Sequence, residues 1–132
     1  MQLLPIRLSP GADIRRALEE AVRSQSTDSA FVISGIGSLT KARLRYAGEP
    51  TESTIAGPLE ILSLSGSLTS SGAHLHMAVS DAWGRVYGGH AGYGNVVRTT
   101  AEILLALLPD GELTREHDAV TGFNELVVRR GG

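Results

Sequence analysis

Hydrophobic and polar positions along this chain alternate more often than they recur at helical spacing. Residues 3–8 form a short apolar run in which Pro5 lacks an amide hydrogen, which predicts a strand at a sheet edge. Between residues 12 and 25 the period changes: Ile14, Ala17, Leu18, Ala21 and Val22 recur at three and four, after Ser9-Pro10-Gly11 and with Asp13 in the first turn. That spacing predicts the main helix. Residues 30–34, Ala-Phe-Val-Ile-Ser, are apolar without interruption and read as a buried strand. Gly35-Ile36-Gly37-Ser38 reads as a turn. Residues 40–46 then alternate, with Thr40, Ala42, Leu44 and Tyr46 on one face and Lys41, Arg43 and Arg45 on the other.

Residues 47–57 read as a loop with a short strand near Thr54. A strand over 59–68 follows, its alternation placing Glu60 beside Leu62 and Leu64. Residues 73–80 alternate again, Leu75, Met77 and Val79 against His74, His76 and Ala78, before a turn at Asp81-Ala82-Trp83-Gly84 and a returning strand over 85–90. Residues 96–108 carry helix-forming alanines and leucines. Val96, Val97, Thr99, Thr100 and Ile103 crowd the segment with β-branched side chains and favour a strand of about ten residues. Pro109-Asp110-Gly111 ends it, and 123–128 is the last strand. One main helix with about seven strands makes an α+β domain with a mainly antiparallel sheet.

Composition sharpens this picture in three ways. At 132 residues the chain reads as one domain, 1–132. With no cysteine it excludes thiolate nucleophiles, cysteine zinc knuckles and disulfides, and a cytoplasmic address is expected. Twelve Lys and Arg against fourteen Asp and Glu give a net charge of −2, so DNA contact would need a local basic patch, for which Lys41, Arg43 and Arg45 are the candidates. The longest apolar run, 103–108, is six residues, far short of a membrane span, and the N-terminus lacks the charged and apolar regions of a signal peptide. Sixteen glycines are unevenly placed: Gly84, Gly88, Gly89, Gly92 and Gly94 fall within eleven residues.

Three of the four histidines gather in that neighbourhood. His74 and His76 are two apart in a strand, so their side chains share a face with Cα atoms about 6.6–6.8 Å apart. If the hairpin loop is the three-residue Ala82-Trp83-Gly84 with a left-handed glycine, paired positions sum to 166 and His76 lies opposite His90. A two-residue loop would send His90 to the other face. Three neutral imidazoles without a fourth protein ligand would leave an open coordination position of the kind catalytic zinc sites keep. His117, in a polar stretch, reads as solvent-exposed.

Other chemistry is thinner. Gly84 to Gly89 is followed by no Gly-Lys-Ser/Thr, no Gly-x-Gly-x-x-Gly opens a helix, and no Gly-x-Ser-x-Gly elbow occurs. Glu60 and Glu102 are carboxylates within apolar strands, placed either to orient an imidazole or to act as a base at the open position. Pairing within a sheet or a subunit interface is the commoner fate of such residues.

Together, Gly57-Pro-Leu-Glu-Ile-Leu-Ser-Leu-Ser-Gly66, His74-Leu-His76, Gly84-Arg-Val-Tyr-Gly-Gly-His90, Thr100-Ala-Glu-Ile103 and Thr121-Gly-Phe-Asn-Glu-Leu126 resemble the PPC domain, shared by plants and prokaryotes. The likeness spans roughly residues 3–129. It implies a compact α+β homotrimer with an antiparallel sheet of about seven strands and, as in prokaryotic members, a metal site carried over to His74, His76 and His90. Plant relatives use the domain for assembly and contact DNA through separate AT-hook motifs, and no Arg-Gly-Arg-Pro occurs here. Three functions stand open at this point. One is a DNA-associated regulatory trimer using Lys41, Arg43 and Arg45, with Arg129 and Arg130. The second is a metal-dependent enzyme or small-molecule binder, with zinc as the expected ion. The third is a structural trimer.

Overall fold

The computed structural model describes residues 2–130 and consists of β1 (Gln2–Leu8), α1 (Ile14–Arg23), β2 (Ala30–Arg45), β3 (Ser53–Thr69), β4 (Gly72–Ser80), β5 (Val86–Ala91), β6 (Val96–Leu107), β7 (Leu113–His117) and β8 (Asn124–Val128). Six strands form one antiparallel sheet in the order β1-β6-β2-β3-β4-β5, and the end of β5 also pairs with the end of β2. β7 and β8 form a separate hairpin. The α+β class with a mainly antiparallel sheet is as expected, and β1 lies at the edge where Pro5 requires it.

Helix α1 covers one face. Asp13 caps its start by accepting a hydrogen bond from the Arg16 amide at 3.3 Å, while Ile14, Leu18 and Val22 are at most 2% exposed. They join Leu75, Met77 and Val79 of β4, Val32 and Leu44 of β2 and Leu105 of β6 in the core. Removing such side chains from water is the main stabilising term, roughly 1.5–3 kcal/mol for each large one.

Several expectations need correction. No turn interrupts 35–38: β2 runs unbroken for 16 residues. Gly35 and Gly37 serve close approach to the neighbouring strands instead, since a Cβ on Gly37 would lie 2.5 Å from the Thr100 carbonyl oxygen. Nor is 30–34 buried on both sides. Ala30 and Val32 face the core, whereas Phe31 and Ile33 are 39% and 52% exposed, because α1 packs on only one face of the sheet. In β3, which begins at Ser53 and takes in both the short strand expected near Thr54 and the strand expected from 59, a register shift between Ile61 and Ser63 separates Leu62 from Leu64. Leu62 stays outside with Glu60, and Leu64 turns into the core. Finally, the polar stretch around His117 is strand β7, with His117 itself exposed as expected.

The β7–β8 hairpin is tied down rather than trailing. Leu113 is 1% exposed, and its amide donates to the buried Ser29 hydroxyl oxygen at 3.0 Å.

Candidate metal centre

The hairpin joining β4 to β5 sets the centre. Asp81 organises the turn: its Oδ1 accepts the amides of Trp83 and Arg85, each at 2.9 Å, and Gly84 takes φ +79. Only glycine adopts that conformation freely, so the loop closes in three residues. Pairs therefore sum to 166, with His76 opposite His90 and Ala78 opposite Gly88. Two further glycines bring neighbouring strands in close. A Cβ on Gly66 would lie 2.1 Å from the His74 carbonyl oxygen, and one on Gly89 would lie 2.7 Å from that of Arg45.

The three rings converge. Their centroids are 5.1 Å apart for His74 and His76, 5.3 Å for His74 and His90, and 5.9 Å for His76 and His90. One nitrogen from each lies within 4.8 Å of the others. Ligands of a tetrahedral ion at about 2.0–2.1 Å sit about 3.3 Å from one another, so small side-chain rotations close the difference. Charge state also fits. Burial pushes the His90 imidazole down to about 4, reinforced by His74, Arg45 and Arg15. Burial likewise lowers His74, with Arg115 and His76 acting in the same direction and Glu125 against it. Both rings are therefore neutral near pH 7 and carry the lone pair that a metal requires.

One contact stands in the way. Arg115 of β7 places Nη2 3.1 Å from His74 Nδ1 and 2.9 Å from Ser67 Oγ. A guanidinium only donates, so Nδ1 accepts and the neutral ring holds its proton on Nε2. Ligation by His74 thus requires that hydrogen bond to open or the ring to turn.

The remaining candidates spread out. Glu60 is exposed opposite Ser38 and Ser80, and Glu102 is exposed between Arg7 and Ile36, so neither joins the histidines within one chain. Lys41 is exposed beside Ala56 and Val96. Arg43 is drawn to Glu52 at 3.7 Å, and Arg45 is the direct cross-strand neighbour of His90. Arg129 pairs with Glu116. The sequence reading missed Arg115 and Arg15, because no local spacing signals a contact between Arg115 and a histidine 41 residues away. Arg15 lies over the Tyr93 ring at 4.5 Å, and Tyr93 donates to Glu19 at 2.7 Å.

The sequence matches the Plants and Prokaryotes Conserved (PCC) domain over residues 1–109. The chain belongs to the PCC family. A Synechococcus protein named bifunctional protein GlmU is 43% identical over 129 residues, which is 98% of this PCC chain and 20% of the relative. The chain thus spans about one fifth of that protein's length. Among solved structures, a metal-containing protein of Archaeoglobus fulgidus is 27% identical with a TM-score of 0.81, over 96% of this chain and 94% of that one. Another, from Ralstonia eutropha and named "Putative DNA-binding protein", is 25% identical with a TM-score of 0.80, over 94% and 90%. The family match ends before β7, so Arg115 reaches the histidines from outside the matched span.

The neutral state of His90 has a consequence for stability. An unfolded histidine has a pKa near 6.5, so between about pH 6.5 and 4 the unfolded chain binds a proton that folded His90 refuses. Stability of the metal-free protein is expected to fall as pH drops through that window. Thermal melts at stepped pH check this, and His90→Gln should shrink the acid-side loss of Tm.

Proposed function

We propose that this PCC chain is a homotrimeric metal-binding module in which His74, His76 and His90 hold one divalent ion, zinc by the character of the donors, and leave a position open to a small ligand. The convergence of three ring nitrogens within 4.8 Å on one hairpin carries this reading, and the metal-containing Archaeoglobus relative supports it. When bound, such an ion polarises a carbonyl or acidifies water. The protein's own part is to keep two imidazoles neutral and to fix the faces of all three by the hairpin register.

The trimer rests on the resemblance and on the uncovered sheet face, where Leu3, Phe31, Ile33, Ile36 and Leu62 are 39–54% exposed. Monomers rarely leave so many large apolar side chains on one sheet face, and a second copy of the chain is the occupant proposed. Residues 1–132 act as one domain in this reading, because β7 is anchored to Ser29 and reaches the centre. A cytoplasmic address stays part of the proposal, and among the described residues no helix is long and apolar enough to cross a membrane.

Elemental analysis of untagged protein, paired with its sedimentation mass, tests the proposal. One zinc per chain in a particle of three times the 13.9 kDa chain mass is expected. Metal-free protein that takes up no zinc on dialysis removes the centre, and a 13.9 kDa particle removes the trimer.

A DNA-associated role is the second reading, favoured by the name of the Ralstonia relative. Against it, Arg43 is drawn to Glu52 and Arg45 faces the histidine side, leaving Lys41 alone of the basic row without such a neighbour. Titration with duplex DNA at about 50 mM salt separates the two readings, since phosphate contact must weaken steeply as salt rises.

A further inference from the structure

The charges around the histidines are mainly positive, three arginines against Glu125. Arg45 on β2 is the cross-strand partner of His90, Arg115 on β7 touches His74, and Arg15 on α1 bears on both rings. Three separate segments thus bring guanidinium groups to one cluster of neutral imidazoles. Among the described residues neither Arg45 nor Arg115 makes an ion pair with a carboxylate: Arg45 reaches only the Glu49 carbonyl at 3.4 Å, and Arg115 reaches Ser67 and His74. Two of the nearby acids are engaged by other groups, and the third stands against the arginines. Glu19 accepts from Tyr93 and the Ala73 amide and faces Arg15 at 3.5 Å, Glu52 faces Arg43, and Glu125 is the acidic group that bears on His74.

A divalent ion held by three neutral rings brings two positive charges into this ring of arginines. Nothing in the donor set offsets them, so each guanidinium opposes the ion. An anion at the open position would reverse the sign of that interaction: one oxygen meets the ion, and the others meet guanidinium forks, whose planar geometry suits carboxylate and phosphate. There is room for it. A cleft of about 470 Å³ opens beside His90, lined by Arg15, Arg43, Arg45 and Tyr93 and by Glu52, whose carboxylate faces Arg43. Its walls are set: Arg15 lies over Tyr93, and the fully buried Asn95 binds the Arg43 backbone in both directions, at 2.9 and 3.2 Å.

We propose that the histidine centre takes its ion together with a small oxyanion, a carboxylate or a phosphate, whose charge is met by Arg45 and Arg115 with Arg15 behind them. The inference rests on the metal reading and names the ligand class for its open position. Metal and anion then bind cooperatively, each raising the affinity for the other by the same factor.

The test uses the full-length chain loaded with cobalt(II), whose visible spectrum reports coordination, and two probes, acetate and inorganic phosphate. Cobalt affinity is measured by chelator competition with and without each probe. At least one probe is expected to change the spectrum and to tighten cobalt binding by about tenfold or more, the scale of a charge-assisted contact. Which probe acts distinguishes carboxylate from phosphate. Arg45→Gln, at an exposed position that leaves the core untouched, should abolish most of that enhancement while leaving cobalt affinity in probe-free buffer unchanged or higher. Arg115→Gln should do the same, and Arg98→Gln, exposed on β6, should do neither. Cobalt binding that ignores both probes overturns the anion inference and leaves the metal reading intact. Enhancement undiminished in both arginine variants overturns the assignment of the guanidinium groups. Failure to bind cobalt under any condition overturns both readings.

Discussion

Replacing His76 by alanine is expected to abolish the proposed metal binding and leave the fold standing. Of the three imidazoles, His76 holds the middle place: it is two residues from His74 along β4 and directly opposite His90 across the hairpin. Without it, two rings 5.3 Å apart between centroids remain, and two neutral nitrogens give a divalent ion little reason to leave water. Loss of an outer partner of a metal ligand costs roughly 10–100-fold in affinity, and loss of a ligand itself should exceed the upper end of that range. Stability should move little. His76 is exposed on the face opposite Leu75 and Met77, and substitutions at such positions usually lie within about ±0.5 kcal/mol. The measurement is zinc content after dialysis against trace metal, with a thermal melt of the metal-free form and His117→Ala as a control on an exposed histidine away from the cluster. Zinc retained at one per chain in His76→Ala would refute the centre.

The gathering of the three histidines was legible in the sequence because it depends on local rules. Strand alternation put His74 and His76 on one face, and the left-handed glycine of a three-residue turn brought His90 to the same side. The same kind of rule placed α1, the edge strand β1 and the β-branched strand β6. What lay beyond reading was set by contacts between distant segments. Gly35 and Gly37 look like a turn until Leu64, Ile103 and the Thr100–Ala101 backbone press on them from neighbouring strands. The shift at Leu62 is visible only against β4, and it decides which of two identical leucines enters the core. Arg115 is a plain polar position in its own stretch and acquires meaning only when the β7–β8 hairpin lies beside β3 and β4. The basic row on β2 was read as one feature because its spacing is regular. Folding divides it: Arg43 goes to Glu52, Arg45 stands beside His90, and Lys41 stays in solvent.

The outer face of the sheet leads to the second large effect: Phe31→Glu combined with Ile33→Asp is expected to convert the proposed trimer to monomers at micromolar concentration. Register carries a row across this face through Leu3, Ala106, Phe31, Ser67 and His74, with Ala106 and Ser67 buried and Arg115 reaching Ser67 between the apolar patch and the histidines. Phe31 and Ile33 are 39% and 52% exposed in the single chain, and burying side chains of that size contributes roughly 1.5–3 kcal/mol each when fully covered. A carboxylate in their place loses that term and adds the cost of removing a charge from water, several kcal/mol unless it finds a partner. In the proposed trimer the penalty recurs at every copy of the interface. Inside the chain the same changes cost little, since both side chains point away from the core that Ala30 and Val32 enter. Sedimentation should therefore show a monomer with an unchanged far-UV spectrum, and a particle still of three chains would exclude this face as the interface. Zinc content of the monomer then settles a further point: the three ligands come from one hairpin of one chain, so the separated subunits should still hold the ion even after the assembly has come apart.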